Sequence, residues 1–278
     1  MATDFRVPLD DTNIVGDCWS GDGPTVLLLH AGVADRRSWH PVASEISKHA
    51  MVVSYDRRGF AETAPDSSSF THLEDLGIVL EQLHVAKAWL VGSSAGGRLA
   101  LDAAVTMCDR VAGLILLAPG VSGSPTPTPE DFGPELLRID EELSKAADIG
   151  DVDEVNRLEI RLWLDGPREM EGRVVGPPRE LALEMNRVAL ANEVAENSDH
   201  KVSAWSHLSE VNVPTIVVCG EFDANHMILL SRKVSARIPG AGYVVLEGMA
   251  HLPYLENPLA IAELVIDAIS KRTSPGSS

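Results

Sequence analysis

One serine in this 278-residue sequence stands where a serine can act as a nucleophile. Val91-Gly92-Ser93-Ser94-Ala95-Gly96-Gly97 joins the apolar run Ala88–Val91 to an amphipathic stretch over Arg98–Met107. A serine held on a sharp strand-to-helix turn presents its hydroxyl above the sheet, and glycines two residues before and after it leave room for the turn. At average Gly and Ser usage the G-x-S-x-G spacing arises by chance about 0.1 times in a chain of this length. The spacing selects Ser94 and leaves Ser93 in the wrong place between the glycines. Ala95 follows directly, and its backbone N–H at a helix N-terminus is suited to a developing oxyanion. The bland alternative is a turn of small residues, which the flanking strand and helix patterns outweigh.

A serine hydroxyl needs a base, and the base needs an orienting acid. Nine histidines are present, and most read as surface or core residues. His251 differs, because Gly248–Pro258 forms a loop between the last apolar run and a final helix over Leu259–Ser270. A loop at the carboxyl end of a strand can deliver an imidazole to the serine. Asp223, in Cys219-Gly220-Glu221-Phe222-Asp223, follows the penultimate strand and can accept from the imidazole Nδ1, fixing its tautomer. Glu221 is the alternative acid. A second oxyanion donor belongs on the loop Leu29-His30-Ala31-Gly32-Val33 after the first long strand, with Gly32 ahead of Val33. His30 reads as a buried hydrogen-bonding residue rather than a catalyst.

These groups need a rigid scaffold. Val26–Leu29, Met51–Ser54, Ala88–Val91, Leu114–Leu117, Ile216–Cys219 and Tyr243–Leu246 are short, unalternating runs of Val, Ile and Leu. Strands buried on both faces look like this, which predicts a parallel sheet. Amphipathic stretches over Trp39–Lys48, Thr71–Leu83 and Arg98–Met107 alternate with them, predicting an α/β fold with helices on both faces. Segments around Phe5–Val7 and Asn13–Cys18 add an antiparallel hairpin at one edge. After Pro119 the rhythm breaks. Helical patterns over Glu130–Ala147, Asp151–Leu164 and Arg179–Glu196 precede the return of strands at Val213. The expected organisation is a core of residues 1–120 and 210–278 with a helical cap inserted at 121–209, positioned over the strand ends. Leu158, Leu162 and Trp163 on the cap, with Val33 below, are the candidate pocket residues.

Composition narrows the function classes. The chain is 45% hydrophobic and 23% charged, with 23 basic against 41 acidic residues for a net charge of −18. Such a chain repels phosphate backbones and anionic lipid, so no nucleic-acid or membrane partner is expected. Three separated cysteines suit a reducing compartment. The acidic N-terminus lacks the apolar run of a signal peptide, and a cytoplasmic location is expected. No dinucleotide fingerprint, phosphate loop or histidine–carboxylate cluster is present, so neither cofactor nor metal is expected. The oligomeric state is left open, with a homo-oligomer among the possibilities.

Taken together, the His30-Ala31-Gly32 loop, Asp56-Arg57-Arg58-Gly59-Phe60, the Ser94 turn, Gly220–Asp223 and Gly248–Pro258 resemble the α/β-hydrolase superfamily over essentially the whole chain. The closest likeness is to capped bacterial serine esterases and enol-lactonase-like hydrolases, and Trp163-Leu164-Asp165-Gly166-Pro167 adds to it more weakly. Relatives often carry His-Gly where this chain has His30-Ala31. The order Ser94, Asp223, His251 is the superfamily's order. The resemblance implies hydrolysis of a small-molecule carboxylic ester or lactone through an acyl-serine intermediate. Two other readings stay open: C–C bond hydrolysis or perhydrolysis by the same triad, and a slow-turnover ligand-binding or signalling protein. Glu130 to Met170 holds 13 carboxylates against 5 basic residues, which favours neutral over anionic substrates unless Arg36, Arg37 or Arg98 supplies a positive pocket.

Overall fold

The computed structural model describes residues 2–9, 11–65, 70–192 and 202–271. Eight strands form one sheet: β1 (Ala2–Pro8), β2 (Asn13–Trp19), β3 (Thr25–Leu29), β4 (Met51–Tyr55), β5 (Ala88–Ser93), β6 (Val111–Leu117), β7 (Thr215–Gly220) and β8 (Gly242–Leu246). Their order across the sheet is β1-β2-β4-β3-β5-β6-β7-β8. The β1–β2 hairpin is antiparallel and β2 runs antiparallel to β4; every other pairing is parallel. The expected hairpin and parallel runs are thus both present.

The helices are α1 (His40–Ile46), α2 (His72–Gln82), α3 (Ala95–Thr106), α4 (Pro129–Phe132), α5 (Pro134–Asp148), α6 (Val152–Ile160), α7 (Pro177–Ala191), α8 (Ala204–His207), α9 (Asn225–Arg237), α10 (Pro253–Glu256) and α11 (Pro258–Ser270). One face of the sheet is sealed by Trp39, Val42 and Ile46 with Ile261, Val265 and Ile269 of α11. The other is sealed by Leu76, Val79 and Leu80 of α2, Leu99 and Leu101 of α3, and Val234 of α9. Covering on both faces is what unalternating apolar strands require. No helix among the described residues is long and apolar enough to cross a membrane.

The helices between β6 and β7 depart from the sequence pattern in instructive ways. The periodic stretch Glu130–Ala147 is two helices, because Gly133 takes φ +80 and Pro134 starts α5. The stretch Asp151–Leu164 is α-helical only to Ile160 and then widens into a π-turn over Arg161–Asp165, closed by Gly166 at φ +92. Helix α7 begins at Pro177, two residues before the expected start, and residues 193–196 of the expected span lie outside the described residues. Helix α9 had no separate sequence signal. A third apolar cluster, Leu136, Ile139, Leu162, Ala224 and Met227, packs these helices onto Ala118 and Cys219 at the carboxyl ends of β6 and β7.

Candidate active site

Ser94 occupies a backbone conformation (φ 51, ψ −112) that an L-residue adopts only under constraint. The constraint comes from close packing on every side. A Cβ at Gly92 would collide with the Gly96 carbonyl, and one at Gly96 would collide with the Leu29 and His30 carbonyls. The Ser94 amide donates to Leu117 O at 2.9 Å, and its carbonyl accepts from Arg98 N and Gly120 N, each at 3.0 Å. Ser93 is fully buried on the strand, whereas Ser94 is half-buried at the turn. Ala95 is the first residue of α3, where helix amides lack intrahelical partners.

The same contacts place the second loop. Because Gly96 abuts Leu29 and His30, the turn at Gly32 and Val33 lies close to the start of α3. Gly32 is exposed, and a Cβ there would meet nothing within 4 Å. His30 is fully buried: Nδ1 donates to Ala31 O at 2.8 Å and Nε2 accepts from Arg57 N at 3.1 Å. Burial and the neighbouring Arg57 hold its pKa well below the ordinary histidine value, so it is a neutral structural link.

The sheet register brings Asp223 and His251 to the same edge as Ser94. Ser93 pairs with Leu117 and Leu117 with Val218, so the carboxyl ends of β5 and β7 lie two strands, roughly 10 Å, apart. Gly220 pairs with Leu246, which sets the loops carrying Asp223 and His251 side by side. His251 Nδ1 faces both carboxylate oxygens of Asp223, at 2.9 Å to Oδ2 and 3.1 Å to Oδ1, and both residues are buried. Asp223 also accepts from Ala224 N at 2.7 Å and from Cys219 Sγ at 3.6 Å. The alternative acid, Glu221, is exposed and instead accepts from Gly248 N at 2.9 Å.

The π-turn brings Trp163 against the histidine. Trp163 lies 4.5 Å from His251, ring centre to ring centre, and 6.4 Å from His226. Trp163 and Leu162 line a cavity of about 220 Å³ with Phe132, Leu136, Leu137, Asp140 and His226. Val33 packs against the core cluster that contains Leu252 and Tyr254, and Leu158 is fully buried within α6; neither lines that cavity. Arg173 fastens the π-turn to the histidine loop. It donates to Leu164 O and Asp165 O, each at 2.8 Å, and to Gly248 O at 2.9 Å, and it pairs with Glu256 at 2.6 Å. Arg36 is committed to Asp17, Asp56 and Glu62, and Arg37 to Asp35 and Glu184, so neither is a spare cation for a substrate.

Residues 26–264 match the model of the alpha/beta hydrolase family. The chain belongs to that family. Among curated relatives, the pimeloyl-[acyl-carrier protein] methyl ester esterase of Yersinia enterocolitica is 28% identical over 270 residues, covering 90% of this chain and 94% of that protein. A 2-hydroxy-6-oxononadienedioate/2-hydroxy-6-oxononatrienedioate hydrolase of Comamonas testosteroni is 23% identical over 281 residues, covering 96% of this chain and 92% of the other. The crystal structure of the enol-lactonase from Burkholderia xenovorans LB400 superposes with a TM-score of 0.72 at 20% identity, covering 96% of this chain and all of that one. These three relatives are an esterase, a hydrolase and an enol-lactonase. His226 and Arg173 were invisible in the sequence: one opens a helix with no motif, and the other sits in a Gly/Pro-rich break.

Proposed function

We propose that this alpha/beta hydrolase is a serine hydrolase of neutral carboxylic esters or lactones. Ser94 Oγ attacks the carbonyl carbon as His251 Nε2 takes its proton. The C–O bond then breaks, and the same proton passes to the departing alkoxide. Water, deprotonated by His251, attacks the acyl-Ser94, and the serine leaves with the proton restored. Asp223 holds His251 in the tautomer with Nε2 free. The amides of Ala95 and Gly32 stabilise the oxyanion, the first with the help of the α3 N-terminus. Residues 121–209 act as a cap over the core of 1–120 and 210–278, with Leu162 and Trp163 against the acyl group.

Two observations support this reading: His251 Nδ1 faces both Asp223 oxygens, and Ser94 is held at φ 51 on a turn at the same end of the sheet. The name of the Yersinia relative, a methyl ester esterase, is in keeping with ester chemistry. The test is labelling with a fluorophosphonate together with turnover of short p-nitrophenyl esters. Modification of Ser94 alone, and loss of at least about 10³-fold in kcat in Ser94→Ala, is expected. Labelling at Ser93, or unchanged turnover in the variant, would overturn it.

A further inference from the structure

His226 stands in the first turn of α9, three residues beyond Asp223, and walls two cavities at once. One is the 220 Å³ space under the π-turn; the other, about 70 Å³, is bounded by Ser124–Pro127, Asp131, Trp205 and Lys233. Its ring meets Phe132 edge-on at 5.1 Å and Trp163 at 6.4 Å. Its Nδ1 is buried with no hydrogen-bond partner among the described residues. A buried polar nitrogen without a partner is costly, and Nδ1 is closed off from both cavities, so an occupant meets the ring at Nε2. Burial, the largest influence, and nearby His251 hold the ring below the ordinary histidine value despite Asp223, so it is a neutral donor or acceptor rather than a cation.

The remaining walls define what such a group would recognise. Phe132, Leu136, Leu137, Leu162 and Trp163 are apolar, and Asp140 is the cavity's acidic member. A cavity of about 150 Å³ holds benzene, so this one has room for an aromatic ring with a short substituent. Asp140 works against an anionic substituent. We propose that His226 is a specificity-determining residue: the cavity takes an apolar aryl or acyl group bearing one neutral hydrogen-bonding function, a ketone, hydroxyl or amide, and His226 pairs with that function. The proposal deepens the ester or lactone hydrolase reading and rests on it for the identity of the bound group.

Binding to the Ser94→Ala protein, followed by ligand-observed NMR, tests the proposal without any turnover. The probes are acetophenone, isopropylbenzene of nearly the same shape without the carbonyl, and benzoate. Acetophenone should bind about tenfold more tightly than isopropylbenzene, and benzoate more weakly than acetophenone. His226→Leu should remove the acetophenone preference while changing isopropylbenzene affinity less than about threefold. His226→Gln, which keeps a hydrogen-bonding side chain, should restore part of it; circular dichroism checks that both variants fold. Equal preference in the parent and in His226→Leu would overturn the assignment, as would tighter binding of benzoate or no binding of either neutral probe. Retained ester turnover in Ser94→Ala would defeat the nucleophile role given to Ser94 and leave this binding result standing.

Discussion

Arg173 and Glu256 form a largely buried ion pair at 2.6 Å that joins the chain beyond Trp163 to the loop bearing His251. Glu256 spends its other oxygen on the amide of Ala250, the residue before the histidine, at 2.7 Å. One guanidinium thereby ties down the segment after the ring that meets His251 and the backbone that carries the histidine. Removing one member of a buried pair leaves the other charge uncompensated. Arg173→Ala should cost about 3 kcal/mol in urea unfolding, with a fall in kcat larger than any change in KM. Glu256→Gln, which still accepts from Ala250, should cost less.

The two carboxylates after β7 should separate cleanly. Asp223→Asn should lower kcat by about 10³–10⁴-fold, because the amide favours the wrong histidine tautomer. Glu221→Gln should stay within about tenfold of the parent, since its exposed carboxylate accepts from Gly248 N. Steady-state kinetics on one p-nitrophenyl ester decides the ranking, and the reverse order would move the orienting role to Glu221.

Glycines near the serine are not equivalent. An added Cβ at Gly96 meets carbonyl oxygens of Leu29 and His30, which cannot yield without shifting β3. Gly96→Ala should therefore destabilise by about 3 kcal/mol and abolish activity. At Gly32 the same methyl meets open space and the amide is unchanged, so Gly32→Ala should keep both Tm and most of kcat. Thermal melts and initial rates on the two variants test the contrast.

His30 should leave a mark on the pH dependence of stability. The unfolded chain takes up a proton near the ordinary value of 6.5, while the folded chain resists protonation until well below it. The unfolded state thus binds more protons in that window, so stability is complete above about pH 6.5 and declines as the pH falls. The slope contributed reaches about 1.4 kcal/mol per pH unit. Asp56, pushed up to about 7 by burial against the pull of Arg36, acts in the opposite sense. Chemical denaturation of the parent and of His30→Asn between pH 5 and 7 isolates the histidine: the variant should be less stable at pH 7 and lose less on acidification.

Charge should sort the substrates. Arg36 and Arg37 are already paired to carboxylates, and Glu130–Met170 carries 13 acidic against 5 basic residues. A neutral ester should exceed an anionic ester of equal size in kcat/KM at low ionic strength, and added salt should narrow the gap. Preference for the anion at low salt would point to an unrecognised positive pocket.

The sheet, both of its covering layers and the His251–Asp223 contact were legible because local chemistry encodes them. Unalternating Val, Ile and Leu runs mark buried parallel strands, and Gly92 and Gly96 mark a turn that tolerates no side chain. The helices between β6 and β7 were read less well. Periodicity carries across Phe132–Pro134 although Gly133 breaks the helix, and nothing in Arg161–Asp165 announces a π-turn. Leu158 and Leu162 share a helical stripe in the sequence, yet the wider turn carries Leu162 to the cavity and leaves Leu158 inside α6. His226 has no local signature at all, since its neighbours Phe132 and Trp163 come from chain segments far away.

The pairing of β6 with β7 has a kinetic corollary. Leu114 lies beside Thr215, so about a hundred residues must be looped out before the two strands meet. Hairpin β1–β2 and the β5–β6 unit close over far shorter loops. Long loops cost more entropy to close, and chains dominated by such contacts fold slowly. Ser94 belongs to the early part and Asp223 and His251 to the late one. On dilution from urea, far-ultraviolet dichroism should therefore recover ahead of ester turnover, with a lag independent of protein concentration. The active site is in this sense a clock for that strand pairing, silent until β6 and β7 have found each other.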